Sequence, residues 1–115
     1  MTLTPSSPPA YDSHLSPPVS LLLQYSAKSL PYVHFQMIHG VGFDLRRADW
    51  IYMTNTFVFA MAIGYRFSES TDGITNGQFT GIGADMCSNA SVQVDSVKHW
   101  GILIENGEFT SFIHP

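Results

Sequence analysis

The chain is short of charge, of cysteine and of long apolar runs. Charged residues are 12% of its 115, about half the usual share. The exposed surface must then be made largely of Ser, Thr, Asn, Gln and Gly, as in many all-β proteins that handle carbohydrate. Basic residues are scarcest of all: three Arg and two Lys, with a formal net charge of −4. A protein that follows a phosphate backbone needs clustered Lys and Arg, so no nucleic-acid partner is expected. Cys87 is alone, which excludes an intrachain disulfide and a thiolate metal cluster; it reads as a small buried apolar residue. No apolar run approaches the ~18 residues of a membrane span, so no membrane partner is expected. The first residues, MTLTPSSPPAYDSH, lack a basic stretch followed by a hydrophobic one and so show no secretory signal.

Proline is unevenly spread. Pro5, Pro8, Pro9, Pro17 and Pro18 fall in the first 18 residues among Ser and Thr. Residues 1–18 are expected to be a disordered Pro/Ser-rich arm, and residues 19–115 a single β segment. Beyond the arm no capped stretch holds a 3.6-residue apolar period. Short β-type runs take its place: SLLLQ, YVHFQMI, GFDL, WIYM, TFVFAM, GYRF, QFTGI, SVQV, GILI and EFTSFI. Gly, Asn, Asp and Ser punctuate them.

What is present is periodicity. Ser20-Leu21-Leu22-Leu23, Gly42-Phe43-Asp44-Leu45, Gly64-Tyr65-Arg66-Phe67 and Ser91-Val92-Gln93-Val94 share the pattern small, apolar, any, apolar, at steps of 22, 22 and 27 residues. Phe35, Phe57, Phe79 and Phe109 recur at steps of 22, 22 and 30, with Asn55, Asn76 and Asn106 shortly before the last three. A period near 22 with several short strands per unit predicts an all-β fold, a short right-handed parallel β-helix of three to four coils. Corresponding strands would stack in parallel ~4.8 Å apart with alternate side chains facing the bore. The four Phe would form an internal aromatic stack, and the three Asn an amide ladder serving unpaired turn groups. Ile51, Met53, Ile74, Ile102 and Ile104 are expected inward; Trp50, Tyr52, Thr54, Thr75, Leu103 and Glu105 outward. Ser68–Gly73, Gly83–Ala90 and Asp95–Trp100 absorb the length differences and are expected to be loops. An antiparallel jelly roll or sandwich is the alternative fold.

The run GIGADMCSNASVQVDSVKHWGILIENGEFTSF resembles the pectate-lyase superfamily of parallel β-helix proteins, related to family 28 glycosyl hydrolases. The likeness rests on the G-x-G-A-D-x-C segment, the V-x-V-D strand and the W-G-I-L-I-x-N-G-E-F stretch, within residues 38 to 115. It implies the fold, a polysaccharide or glycan partner, and a secreted or cell-surface location. It implies no catalytic residue, because the family's hydrolase motifs are missing: Asn55-Thr56 is followed by Phe57, and there is no Asp-Asp pair. Nor do Asp44, Asp72, Asp85 and Asp95 form a lyase calcium cluster. Two functions are therefore expected to compete. One is a segment of a polysaccharide-degrading hydrolase or lyase without a complete active site. The other is a non-catalytic carbohydrate-binding or adhesin module of the tailspike kind. A chain without capping helices is also expected either to belong to a longer protein or to self-associate through uncapped β-helix ends.

The candidate substrate-binding residues follow from the alternation. Asp44, Arg66 and Gln93 form one outward column, a sugar-binding patch or a plain cross-strand polar ladder. Trp50, Tyr52 and Trp100 face outward, and flat aromatics stack on sugar rings. His99 beside Trp100 and Asp95 is a candidate base or an ordinary surface residue. No metal site is expected, since His34, His39 and His114 lack ligand spacing, and no cofactor is implied.

Overall fold

The fold is that of a computed structural model and is described for residues 30–111. The chain separates into two compact units, Met1–His34 and Phe35–Pro115. The expected arm and the expected strand at Ser20–Leu23 lie outside the described residues. Residues 30–39 are helical (α1) and end at Gly40. This corrects the strand expected in YVHFQMI and the absence of any helix. Val33, Gln36 and Met37 are half-buried while Tyr32, Phe35, Ile38 and His39 are exposed. That spacing is helical, and it hides in the sequence because polar Gln36 occupies the inner face while apolar residues occupy the outer one. Gly40 donates its N–H to Gln36 O, and a Cβ there would lie 2.6 Å from that oxygen and from Met61 Sδ.

All nine strands of the described residues lie in the second unit: β1 (Val41–Leu45), β2 (Ile51–Thr54), β3 (Phe57–Phe59), β4 (Ile63–Phe67), β5 (Gly77–Thr80), β6 (Gly83–Cys87), β7 (Ala90–Val94), β8 (Ile102–Glu105) and β9 (Glu108–Ser111). They form three sheets, ordered β1-β4-β7, β2-β5-β8 and β3-β6-β9. Every strand pairing within the sheets is parallel. The chain thus passes three times through the same three sheets, each pass adding one strand to each. Among the described residues there is no antiparallel hairpin, which runs against the jelly roll or sandwich; the antiparallel contact there is the isolated Ser70–Gly73 bridge.

The first sheet has the register its sequence pattern predicts. Phe43, Tyr65 and Val92 align, as do Asp44, Arg66 and Gln93, and Leu45, Phe67 and Val94. Phe43 and Tyr65 stack with centroids 5.2 Å apart. The second pass carries the core. Tyr65, Phe67, Phe79, Ile82 and Cys87 are fully buried, because strands on both sides cover them. Cys87 is the small buried residue expected, and burial pushes its thiol pKa up.

Three expectations fail by register. The four Phe do not stack together. Phe35 is on α1 and exposed; Phe57 is exposed on the third sheet; Phe79 is buried in the second sheet, edge-on to Phe67 at 5.1 Å. Phe109 aligns with Ala84 and hence with Val58. The amide ladder is also not Asn55–Asn76–Asn106. The column is Asn55–Gly81–Asn106, all left-handed at φ 52°, 65° and 51°. Asn and Gly are the residues that adopt this conformation most cheaply. Asn76 is fully buried five residues before Gly81, and its Oδ1 accepts the Trp50 N–H at 3.0 Å. Thr75, expected outward, is fully buried with it. The similarity of NGQF to NGEF set the wrong alignment: Gly77 pairs with Ile51 and Ile102 instead.

Gly83–Ala90 is not a loop. Residues 83–87 are β6, and a bulge between Ala84 and Cys87, with Met86 at φ 54°, breaks the alternation that would have revealed it. The segments 68–76 and 95–101 do connect the first sheet to the second, as loops beside 46–50.

Candidate functional site

The first sheet turns one face outward, and its central column is Asp44–Arg66–Gln93. These three do not bond directly to one another. Asp44 accepts from Ser68 Oγ at 2.6 Å and pairs with Arg46 at 3.0 Å. Arg66 Nε pairs with Asp95 Oδ2 at 2.7 Å, while Gln93 Nε2 donates to Asp95 Oδ1 at 2.9 Å. Asp95, which follows β7, therefore ties Arg66 to Gln93, while Ser68 and Arg46 hold Asp44. The sequence offers Asp95 as a neighbour of His99 and as one of four scattered aspartates, not as a partner of the column.

These partners set the ionisation. The Ser68 hydrogen bond, with Arg46 behind it, holds the Asp44 carboxyl below the ordinary carboxylate range. Gln93 and Arg66 do the same for Asp95, and Asp95 raises Arg66 in return. A general acid at neutral pH needs a raised carboxyl pKa. Both carboxyls are shifted the other way.

The aromatic candidates sit where the first sheet hands over to the second. Trp50 precedes β2 in a left-handed conformation, φ 53°. Its N–H is fixed by the buried Asn76 amide, and the next N–H, of Ile51, is held by Asn76 O. Asn76 thus fixes the backbone here at two successive N–H groups, and the Trp50 indole is 48% exposed. In the third pass Lys98 N–H donates to Thr75 O, and Gly101 N–H to Lys98 O. Lys98 Nζ reaches across to Asp49 Oδ1 at 3.0 Å. This ion pair joins the loop before Trp50 to the loop before Trp100. Trp100 is 62% exposed, with the His99 ring 3.7 Å from its own. Tyr52, on β2, projects from the outer face of the second sheet and is exposed.

The seven candidates thus divide into two neighbouring groups. Asp44, Arg66 and Gln93 lie on the outer face of the first sheet. Trp50, His99 and Trp100 lie on the loops that leave that sheet, and Tyr52 begins the next. Two rungs separate the Trp50 and Gly101 positions, about 10 Å at the usual strand spacing. Among the described residues no group of three or more His, Cys, Asp or Glu is placed to hold a metal ion. Compared with protein-family models, with characterised proteins and with solved structures, the chain matches none.

Sequence reasoning passed over a further surface. The second sheet presents Tyr52, Gln78 and Leu103 in one outward column and Thr54, Thr80 and Glu105 in the next. Thr54 and Glu105 are expected outward from the alternation, and the misregister at Asn76 hides Gln78 and Thr80.

Proposed function

We propose that the three passes wind as a right-handed parallel β-helix, and that the protein binds a polysaccharide across the corner where its first and second sheets meet. The observation that carries the reading is the exposure of Trp50 and Trp100, both of the chain's tryptophans, on loops that leave the sheet whose outward column is Asp44–Arg66–Gln93. Exposed rings can stack on the apolar faces of sugars while fixed carboxylates, amides and guanidinium groups meet the hydroxyls. Carboxyls held ionised and ion-paired favour binding over general-acid chemistry. The resemblance to the pectate-lyase superfamily is part of this proposal and points to the same class of ligand.

A second reading, polysaccharide cleavage, draws on the exposed His99 packed against Trp100, which sets a base beside an exposed aromatic ring. Affinity electrophoresis in gels containing polygalacturonate, xylan or glucomannan separates the two when combined with a reducing-end assay on the same polymers. Retardation without release of new ends supports the binding module. Release of ends, abolished by His99→Ala, supports cleavage. No retardation by any polymer and no release contradict both.

A further inference from the structure

A groove of about 280 Å³ opens at the other end of the second sheet, where it meets the third. It is lined by Asn55 and Phe57 from the first pass, Gly81 and Gly83 from the second, and Asn106 and Glu108 from the third. Its depth comes from the second pass. A Cβ on Gly81 would stand 2.7 Å from Asn55 Oδ1, and one on Gly83 would stand 3.1 Å from the Phe57 ring. Two glycines therefore recess the middle rung between taller neighbours.

The walls are chemically distinct. Phe57 is 62% exposed although it lies on a strand, and its ring lies beside Gly83. Across the gap the Asn106 amide and the Glu108 carboxylate are exposed. Neither side chain has a hydrogen bond or ion pair to another described residue. The left-handed conformations of Asn55 and Asn106 hold the two amides on stacked rungs. The groove thus has an aromatic wall, two amides and one acceptor carboxylate.

Charge selects the ligand. The described cations are Arg46, Arg47, Arg66 and Lys98, and all lie on the first sheet or on the loops leaving it. The second and third sheets carry Asp85, Glu105 and Glu108 and no described cation. A uronate would meet repulsion in this groove. A neutral pyranose would stack on Phe57 and give its hydroxyl protons to Glu108 and the amide oxygens.

We infer that the Phe57–Asn106–Glu108 groove is a subsite for an uncharged sugar unit. It deepens the proposed function and rests on it, since β2 spans only about 13 Å between Trp50 and the groove. One glycan chain laid along the strands of the second sheet, over Tyr52, Gln78 and Thr80, would reach both ends.

The test uses the full chain and four probes: cellohexaose, xylohexaose, mannohexaose and hexagalacturonate. Titrations are followed by NMR of the side-chain amides and aromatic rings, for the natural chain and for Phe57→Ala, Asn106→Gly and Trp100→Ala. Circular dichroism confirms that each variant is folded; Asn106→Gly keeps the left-handed backbone. At least one neutral hexasaccharide should bind, shift the Phe57 and Asn106 signals, and weaken about tenfold in Phe57→Ala. Neutral binding lost in Trp100→Ala but untouched by Phe57→Ala and Asn106→Gly overturns the subsite and leaves the proposed function standing. Hexagalacturonate shifting the groove signals more tightly than the neutral sugars overturns the charge argument. No binding by any probe overturns both.

Discussion

Single residues decide where the backbone can go. Gly77 faces Ile51 so closely that a Cβ would lie 2.1 Å from Ile51 O. Gly77→Ala must therefore push the first and second passes apart, and should abolish the cooperative unfolding transition seen by circular dichroism. Gly81→Ala is milder. It forces a Cβ into a left-handed conformation (φ 65°) against Asn55 Oδ1, and should cost roughly 1–2 kcal/mol in urea unfolding. Asn55→Gly, in the same column, should cost far less, because glycine accepts that conformation. Asn76 Nδ2 has no hydrogen-bond partner among the described residues, while its Oδ1 fixes Trp50. Asn76→Ala leaves the Trp50 N–H without that acceptor and should lower stability by about 1–3 kcal/mol. In the same variant the Trp50 emission should change.

The carboxylates belong to this scale too. The folded pKa values of Asp44 and Asp95 lie below their unfolded values. Their contribution to stability is therefore fully present above the unfolded value, near pH 4, and is lost as pH falls through the folded values. Thermal midpoints measured from pH 7 down to pH 2 should drop below about pH 4. An Asp44→Asn, Asp95→Asn double variant should show a shallower acid limb.

Elements were unequally legible. The first sheet could be read directly, because β1, β4 and β7 share one pattern: Gly or Ser, apolar, polar, apolar. That pattern gave the Asp44–Arg66–Gln93 column without error. The second sheet misled, because Asn76-Gly77-Gln78-Phe79 looks like Asn106-Gly107-Glu108-Phe109 yet enters the second sheet at β5, whereas the other leaves that sheet after β8. The contact that sets the register, Gly77 under Ile51, has no side chain to announce it. The third sheet was half hidden by the bulge at Met86, and α1 by apolar residues on its exposed side. Alternation correctly turned Tyr52 outward, and the outward reading of Trp50 and Trp100 also held, although they lie on loops and not on strands. The groove was not, since it needs Gly81 and Gly83 to lie between residues about 25 positions away on either side in sequence. The corrected register has its own test: Phe79→Ala, a deletion in the sealed core, should cost about 3–5 kcal/mol in urea unfolding. Phe109→Ala, at a position 38% exposed, should cost clearly less.

Over the whole of the second unit, burial concentrates in the middle pass. Ile63, Tyr65, Phe67, Phe79, Ile82, Ala84 and Cys87 are buried, while Val41, Val94 and Phe109 of the outer passes are exposed. Amides with the deepest cover exchange most slowly. Native-state hydrogen exchange should therefore rank β4, β5 and β6 as the most protected strands, with the outer strands of each sheet below them. Equal protection across the three passes would count against this distribution of the core.

The central claim is that the first corner binds a polysaccharide, and both tryptophans lie there. Intrinsic tryptophan fluorescence therefore reports on that corner alone. Titrating the protein with hexasaccharides should give a saturable change in emission that is halved or lost in Trp50→Phe or Trp100→Phe. Emission that stays constant through millimolar concentrations of every neutral and acidic hexasaccharide would contradict it.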